Sequence, residues 1–138
     1  MKFITYIIIF LFINSPQLVI AQDSNSFKIP RSNIIEIKDP GSERVYPLFI
    51  KLPRSYNKRR DKSYPVIYLT DAWYSFQIVS GATRFLMNTG KMREAIIVGI
   101  SYSKGSKGAS SRVRDYTHTE DSSWKLQTGK ANEHISFI

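Results

Sequence analysis

YPVIYLTD, residues 64–71, holds an unbroken apolar and aromatic run, Val66-Ile67-Tyr68-Leu69, without the polar alternation of a half-exposed strand. Such a run suits a strand covered on both faces, as in a parallel sheet flanked by helices. The next stretch, FQIVSGATRFLMNT (76–89), repeats apolar positions at three-to-four spacing: Phe76, Val79, Ala82 or Thr83, and Leu86. That spacing is one face of a helix, and Gly90 is placed to end it. Ala95 to Ile100, AIIVGI, is a second buried strand. Strand, helix, strand in this order predicts a βαβ unit with two parallel strands.

Upstream, SNIIEIKDPGSERVYPLFIKLP reads as a β-hairpin. Ile35 and Ile37 alternate with Glu36 and Lys38, and Asp39-Pro40-Gly41-Ser42 is turn chemistry. Val45 to Leu52 is the return strand. Pro47 has no N–H to donate, which predicts that this strand lies at a sheet edge or carries a bulge. A hairpin feeding a parallel unit predicts a mixed sheet with helices on both faces.

Gly99-Ile100-Ser101-Tyr102-Ser103 comes close to G-x-S-x-G, the turn that carries the nucleophile in many hydrolases. That turn needs a helix directly after the serine and a very small residue two places on. Here the serine is followed by SKGSKGASSR, read as a loop, and Ser103 is only a tolerable substitute for glycine. Ser101 therefore reads as a strand end rather than a nucleophile. RVRDYTHTED reads as irregular and densely polar. KANEHISFI reads as the first turns of a helix, with Ala131, His134, Ile135 and Ile138 on one side.

The start of the chain has a different grammar. Lys2 precedes an apolar run from Phe3 to Ile13, and Val19-Ile20-Ala21 ends at a small residue. This pattern is a secretory signal peptide with cleavage near Ala21. The run is about half the ~20 residues a bilayer-spanning helix needs, and a retained anchor is the alternative reading. There is no cysteine, which excludes disulfides, thiolate metal sites, a cysteine nucleophile and a lipoprotein anchor. Two histidines, His118 and His134, are too few for a metal cluster. The formal charge is +9, with much of the excess in Lys51 to Lys62, KLPRSYNKRRDK. That run reads either as a polyanion-binding surface or as a solvated loop between strands. It lacks interleaved aromatics for stacking bases, so no nucleic-acid partner is expected.

Five segments together resemble the esterase family that holds enterochelin esterases, esterase D-like enzymes, feruloyl esterases and mycolyl transferases, a branch of the α/β-hydrolases. They are KLPRSY after the hairpin, YPVIYLTDAWYSF, AIIVGIS, SRVRDYTHTED and TGKANEHISFI, in that order. The resemblance runs over roughly residues 30 to 138. It departs at Ala72, where the family has glycine after the aspartate, and at His118, where the family has proline. It implies an α/β fold: the N-terminal part of an α/β-hydrolase sheet, an antiparallel hairpin followed by a parallel βαβ unit, ending before the nucleophile elbow. The organisation expected is a signal peptide over 1–21, a flexible segment over 22–32 and an incomplete esterase domain over 33–138.

The resemblance also assigns roles. The nucleophile, acid and histidine would come after Ile138, so no catalytic residue is expected in this chain. The Trp73 backbone N–H would be one oxyanion-hole donor. Ala72, Trp73 and Tyr74 would line the substrate site, and Trp73, Tyr74 and Phe76 would offer an aromatic wall for an apolar or aromatic acyl group, although Trp73 and Phe76 read equally well as packing for the loop. Asp71, Arg114 and Asp115 would order the loops beside the site, with Arg112 in the same charged knot. The substrate would be a small-molecule ester, with no cofactor, no metal and no nucleic acid. The membrane would matter only transiently through the signal peptide, and the product would be secreted or periplasmic. A non-catalytic secreted binding module, or a weak polyanion binder through Lys51–Lys62, is the alternative.

Overall fold

The computed structural model describes residues 27–138. The expected signal peptide, residues 1–21, lies outside the described residues. Four strands and three helices follow in order: β1 (Ser32–Lys38), β2 (Val45–Lys51), β3 (Val66–Leu69), α1 (Ala72–Asn88), β4 (Ile96–Ile100), α2 (Gly108–Asp115) and α3 (Ala131–Phe137). The strands make one open sheet in the order β1-β2-β4-β3. Among the described residues no helix is long and apolar enough to cross a membrane.

The hairpin forms as its turn chemistry predicts. Asp39 accepts the Gly41 N–H on its carboxylate at 2.9 Å, and its backbone bonds both Glu43 and Arg44 at 2.8 Å. β1 and β2 pair antiparallel, with Ile35 opposite Leu48 and Ile37 opposite Tyr46. β3 and β4 pair in parallel, Val66 opposite Ile96 and Leu69 opposite Gly99. The βαβ unit is therefore present, and β2 joins it to the hairpin by pairing antiparallel with β4.

Two strand placements differ from expectation. β2 is interior, not an edge, despite Pro47. In an antiparallel ladder a residue's N–H and C=O point to the same neighbour. The Pro47 carbonyl accepts the Ser101 N–H at 3.1 Å, just past the end of β4, so the missing N–H removes one bond at the margin of that ladder. β3, in contrast, is an edge strand among the described residues and is not covered on both faces. Tyr68 is 63% exposed and Val66 40% exposed, while Ile67 and Leu69 turn toward α1. A continuous apolar run does not say how many layers cover it.

Alternate residues of β2 serve the two faces, as the two-residue strand period requires. Phe49 packs with Ala72, Phe76 and Ile97 under α1. Tyr46, 2% exposed, turns the other way and meets His134 and Phe137 of α3. The central contact between α1 and the sheet is at Gly99. A methyl built there would lie 2.9 Å from the Ala72 Cβ and 3.1 Å from the Phe76 ring. Gly99 is thus required by helix packing, which accounts for the first residue of the G-x-S-like stretch without any elbow.

α1 begins four residues earlier than its apolar period suggests, so Ala72, Trp73 and Tyr74 lie on a helix rather than in a loop. Its end is as expected: Gly90 sits at φ 73, and the Thr89 N–H bonds the Phe85 carbonyl at 3.0 Å. α2 corrects the reading of residues 102–121 as continuous loop and irregular chain. Its buried residues are Ser111, Arg114 and Asp115, so it has a polar buried face and no apolar stripe to announce it.

Candidate functional site

In open α/β sheets, ligands bind outside the carboxyl ends of parallel strands. β3 ends there at Leu69 and β4 at Ile100. From β3 the chain passes through Thr70 and Asp71 into α1. From β4 it passes through Ser101 and Tyr102 toward α2. Asp71, Trp73, Tyr74, Tyr102 and Arg112 gather at this rim.

Asp71 controls the turn. It adopts φ 54, ψ 46, the left-handed region, which costs a residue other than glycine about 1–2 kcal/mol. Its carbonyl accepts the Tyr74 and Ser75 N–H groups at 2.9 and 3.0 Å. Its carboxylate does not cap the helix but receives Arg112 Nε at 3.0 Å on each oxygen, with Arg112 Nη2 3.0 Å from Oδ2. The Arg112 guanidinium also lies over two aromatic faces, 5.7 Å from the Tyr74 ring centre and 5.5 Å from that of Tyr102. Hydrogen bonding to Asp71 holds its pKa above the usual arginine value. Burial, followed by the nearby Asp71 carboxylate, pushes the Tyr102 phenol up, and its hydroxyl has no hydrogen-bond partner among the described residues. The neighbouring Tyr116 phenol is pushed up to about 12, chiefly by burial.

This turn leaves backbone donors free. A helix cannot satisfy its first N–H groups internally. Tyr74 and Ser75 donate to Asp71, whereas the Trp73 N–H meets no acceptor among the described residues. The Trp73 ring is 57% exposed and stands edge-on to Phe49 at 5.0 Å. It therefore packs the helix start and borders the rim at once. Tyr74 is exposed beneath Arg112. Ala72 is different: it is fully buried, its side chain against Gly99, and it presents no surface to the rim. Phe76 is core and offers no wall.

Ser101 is 2% exposed, and its Oγ has no hydrogen-bond partner among the described residues. The next helix starts only at Gly108. A buried hydroxyl seven residues ahead of a helix lacks both the exposure and the helix N-terminus that an elbow supplies.

The charged knot splits in two. Arg112 belongs to the rim. Arg114 and Asp115, 7% and 3% exposed, pair beneath it, with Nε to Oδ1 at 2.6 Å and Nη2 to Oδ2 at 2.9 Å. Tyr46 donates its hydroxyl to Asp115 at 3.3 Å, and Arg114 donates to Ser103 Oγ at 2.9 Å. The Arg114 carbonyl accepts the Lys130 N–H at 3.0 Å, tying α2 to the entrance of α3. Gly129, at φ 83, closes that entrance where a side chain would strike the Glu120 backbone at 2.6 Å. His134 is buried against Tyr46 and Tyr116, and burial lowers its pKa.

The basic run does not form one surface. Lys51 is buried, Lys62 pairs with Glu94 at 3.1 Å, and Arg59 lies 3.5 Å from Asp61. Among the described residues no group of His, Asp and Glu converges as a metal site would.

The signals missed from sequence were the Asp71–Arg112 pair and the helix that carries Arg112. The two partners lie 41 residues apart, so no local pattern announces them.

Comparison with known proteins places these features in context. The family model described as "Putative esterase" matches residues 41–133. The ferri-bacillibactin esterase BesA of Bacillus subtilis (strain 168) is 34% identical over 100 residues, covering 68% of this chain and 33% of that protein. A BES protein from Bacillus cereus superposes with a TM-score of 0.67 at 22% identity, over 84% of this chain and 45% of its own. An IroE-like serine hydrolase from Shewanella oneidensis gives 0.64 at 24% identity, over 78% and 35%. The two structures share the fold. The chain spans about a third of the length of the curated relative.

Proposed function

The chain belongs to the esterase family, and from that premise we propose that it is the N-terminal portion of a secreted serine esterase that cleaves carboxylic esters through an acyl-enzyme. In this reading the nucleophile, acid and histidine follow Ile138 in the longer protein. The edge position of β3 among the described residues supports this, because an edge strand is a template for further strands. The N-terminal signal pattern supports export to the periplasm or beyond. The name of the Bacillus subtilis relative makes iron-siderophore esters the first substrates to try.

The role of this portion is to stabilise charge and to shape the acyl pocket. As the ester carbonyl is attacked, negative charge develops on its oxygen. A fixed N–H aimed at that oxygen stabilises the transition state more than the ground state. The Trp73 amide, which meets no acceptor among the described residues and is held at the start of α1 by the Asp71 turn, is the donor, and it is the observation that carries this reading. Arg112 holds Asp71 and is a positioning residue. The exposed Trp73 and Tyr74 rings border the pocket.

The test uses the complete esterase with p-nitrophenyl acetate. Trp73→Pro removes the N–H within the first helical turn, where proline is best tolerated. Its kcat/KM is expected to fall by about 100-fold or more, the loss typical of one oxyanion donor. Trp73→Ala keeps the amide and should retain most of the activity. Equal losses in the two variants, with matching thermal melts, would remove the amide from the mechanism.

A further inference from the structure

A second cleft lies away from the strand-end rim. It opens on the α1 face of the sheet, between β1, β2 and the middle of α1, and holds about 760 Å³. That is within the usual ~300–1,000 Å³ of small-molecule sites. Ile34, Phe49 and Phe76 supply its apolar lining.

Its polar end is unusual. Lys51 projects from β2 into the cleft and is only 6% exposed. An ammonium has three donors to place. One goes to the Ser80 carbonyl at 2.6 Å, and no carboxylate pairs with Lys51 among the described residues. Ser80, 2% exposed and also lining the cleft, has an Oγ with no hydrogen-bond partner among the described residues. The other charged groups that bear on Lys51 are Arg31 and Arg84, both positive, and Arg84 borders the same cleft. Burial first, and those arginines next, push the Lys51 pKa down. A buried cation beside further cations is unfavourable unless an anion compensates it.

We infer that this cleft binds a small amphiphilic anion, a carboxylate on an apolar body. The carboxylate would lie between Lys51 Nζ, Ser80 Oγ and Arg84, and its tail along Ile34, Phe49 and Phe76. The apolar lining and the clustered positive charge select for both halves of such a molecule. Neither a neutral lipid nor an inorganic anion uses both. The inference does not depend on the esterase reading, since the cleft shares no residue with the Asp71–Trp73 turn.

The test is calorimetric titration of the purified protein with octanoate, 1-octanol and octyltrimethylammonium. Octanoate should bind at least about tenfold more tightly than octanol, and the ammonium should bind least. Lys51→Met keeps the stem and removes the charge, and it should bring octanoate down to the octanol level while leaving octanol unchanged. Arg84→Gln, at an exposed position, should reduce the preference in part and leaves the core untouched should Lys51→Met fold poorly. Equal binding of octanoate and octanol by the wild type would overturn the proposal. So would no binding at millimolar ligand, or a preference that survives in both variants.

Discussion

Arg112 and Arg114 stand two residues apart on one short helix and hold aspartates in opposite settings. Arg112 reaches across to Asp71 at the solvent-facing rim, where the two side chains are 44% and 31% exposed. Arg114 grips its own neighbour, Asp115, with the side chains 9% and 4% exposed. The geometry of the two pairs is similar and the surroundings are not. Water screens the first, so its value lies in where it puts Asp71 and the start of α1. The second has no water to fall back on, and the hydroxyls of Tyr46, Ser103 and Ser111 complete its hydrogen bonds. One pair positions a turn, and the other holds a layer of the fold together.

The sharpest way to break this contrast is to remove Arg114. Arg114→Met leaves the Asp115 carboxylate buried without its cation, and such losses typically cost about 3–5 kcal/mol. The urea unfolding midpoint should drop accordingly. Adding Asp115→Asn to the same chain should recover a large part of the loss, because the uncompensated charge is then gone. A single variant as stable as the parent would mean that the buried pair contributes nothing, and the distinction would fail.

These two pairs also mark where sequence reading succeeds and where it stops. The strands were legible because Ile35, Ile37, Val66–Leu69 and Ile96–Ile100 carry their own apolar patterns, and Asp39–Ser42 carries turn chemistry. α2 was not, because its inward face is Ser111, Arg114 and Asp115, which to a hydrophobic period look like loop. The first turn of α1 was hidden for a related reason. Asp71 has the right chemistry for a cap but turns its carboxylate to Arg112, so the usual aspartate-to-amide signal is absent. The aromatic rim of Trp73 and Tyr74 could be listed from sequence, but that Ala72 faces inward depends on Gly99 lying beneath it, a contact between distant segments.

A smaller effect comes from His134, which borders the buried pair. Tyr46 and Tyr116 face its ring, and Asp115, Arg114 and Asp39 are the charges that bear on it. Burial keeps it neutral and its pKa below the ordinary histidine value. A group lowered in this way stabilises the fold fully above its unfolded pKa of ~6.5, and that contribution is lost as the pH falls through the folded value. Unfolding free energy should therefore decline below pH 6.5 with a slope of at most about 1.4 kcal/mol per pH unit from this one proton. His134→Phe keeps the stacking and removes the titration, so the difference in slope between pH 6.5 and 5 isolates it. Identical slopes would show that the buried layer tolerates the charge.

The least costly substitution for stability should be Arg112→Gln, and its contrast with Arg114→Met is what makes the comparison quantitative. An exposed ion pair contributes little to folding because water competes for both partners. The unfolding midpoint should move by well under half of the shift seen for Arg114→Met. What the substitution does release is Asp71, whose left-handed backbone then lacks the guanidinium that anchors its carboxylate. Asp71→Gly in the same background should restore the turn, because glycine adopts that conformation without strain. If, as proposed, the chain is part of an esterase and Arg112 acts through Asp71 on the Trp73 amide, ester hydrolysis by that proposed full-length protein should fall with Arg112→Gln through kcat rather than KM, and Asp71→Gly should return part of it. A loss in KM alone, with no recovery by glycine, would instead place the guanidinium against the substrate and make the rim pair a binding element.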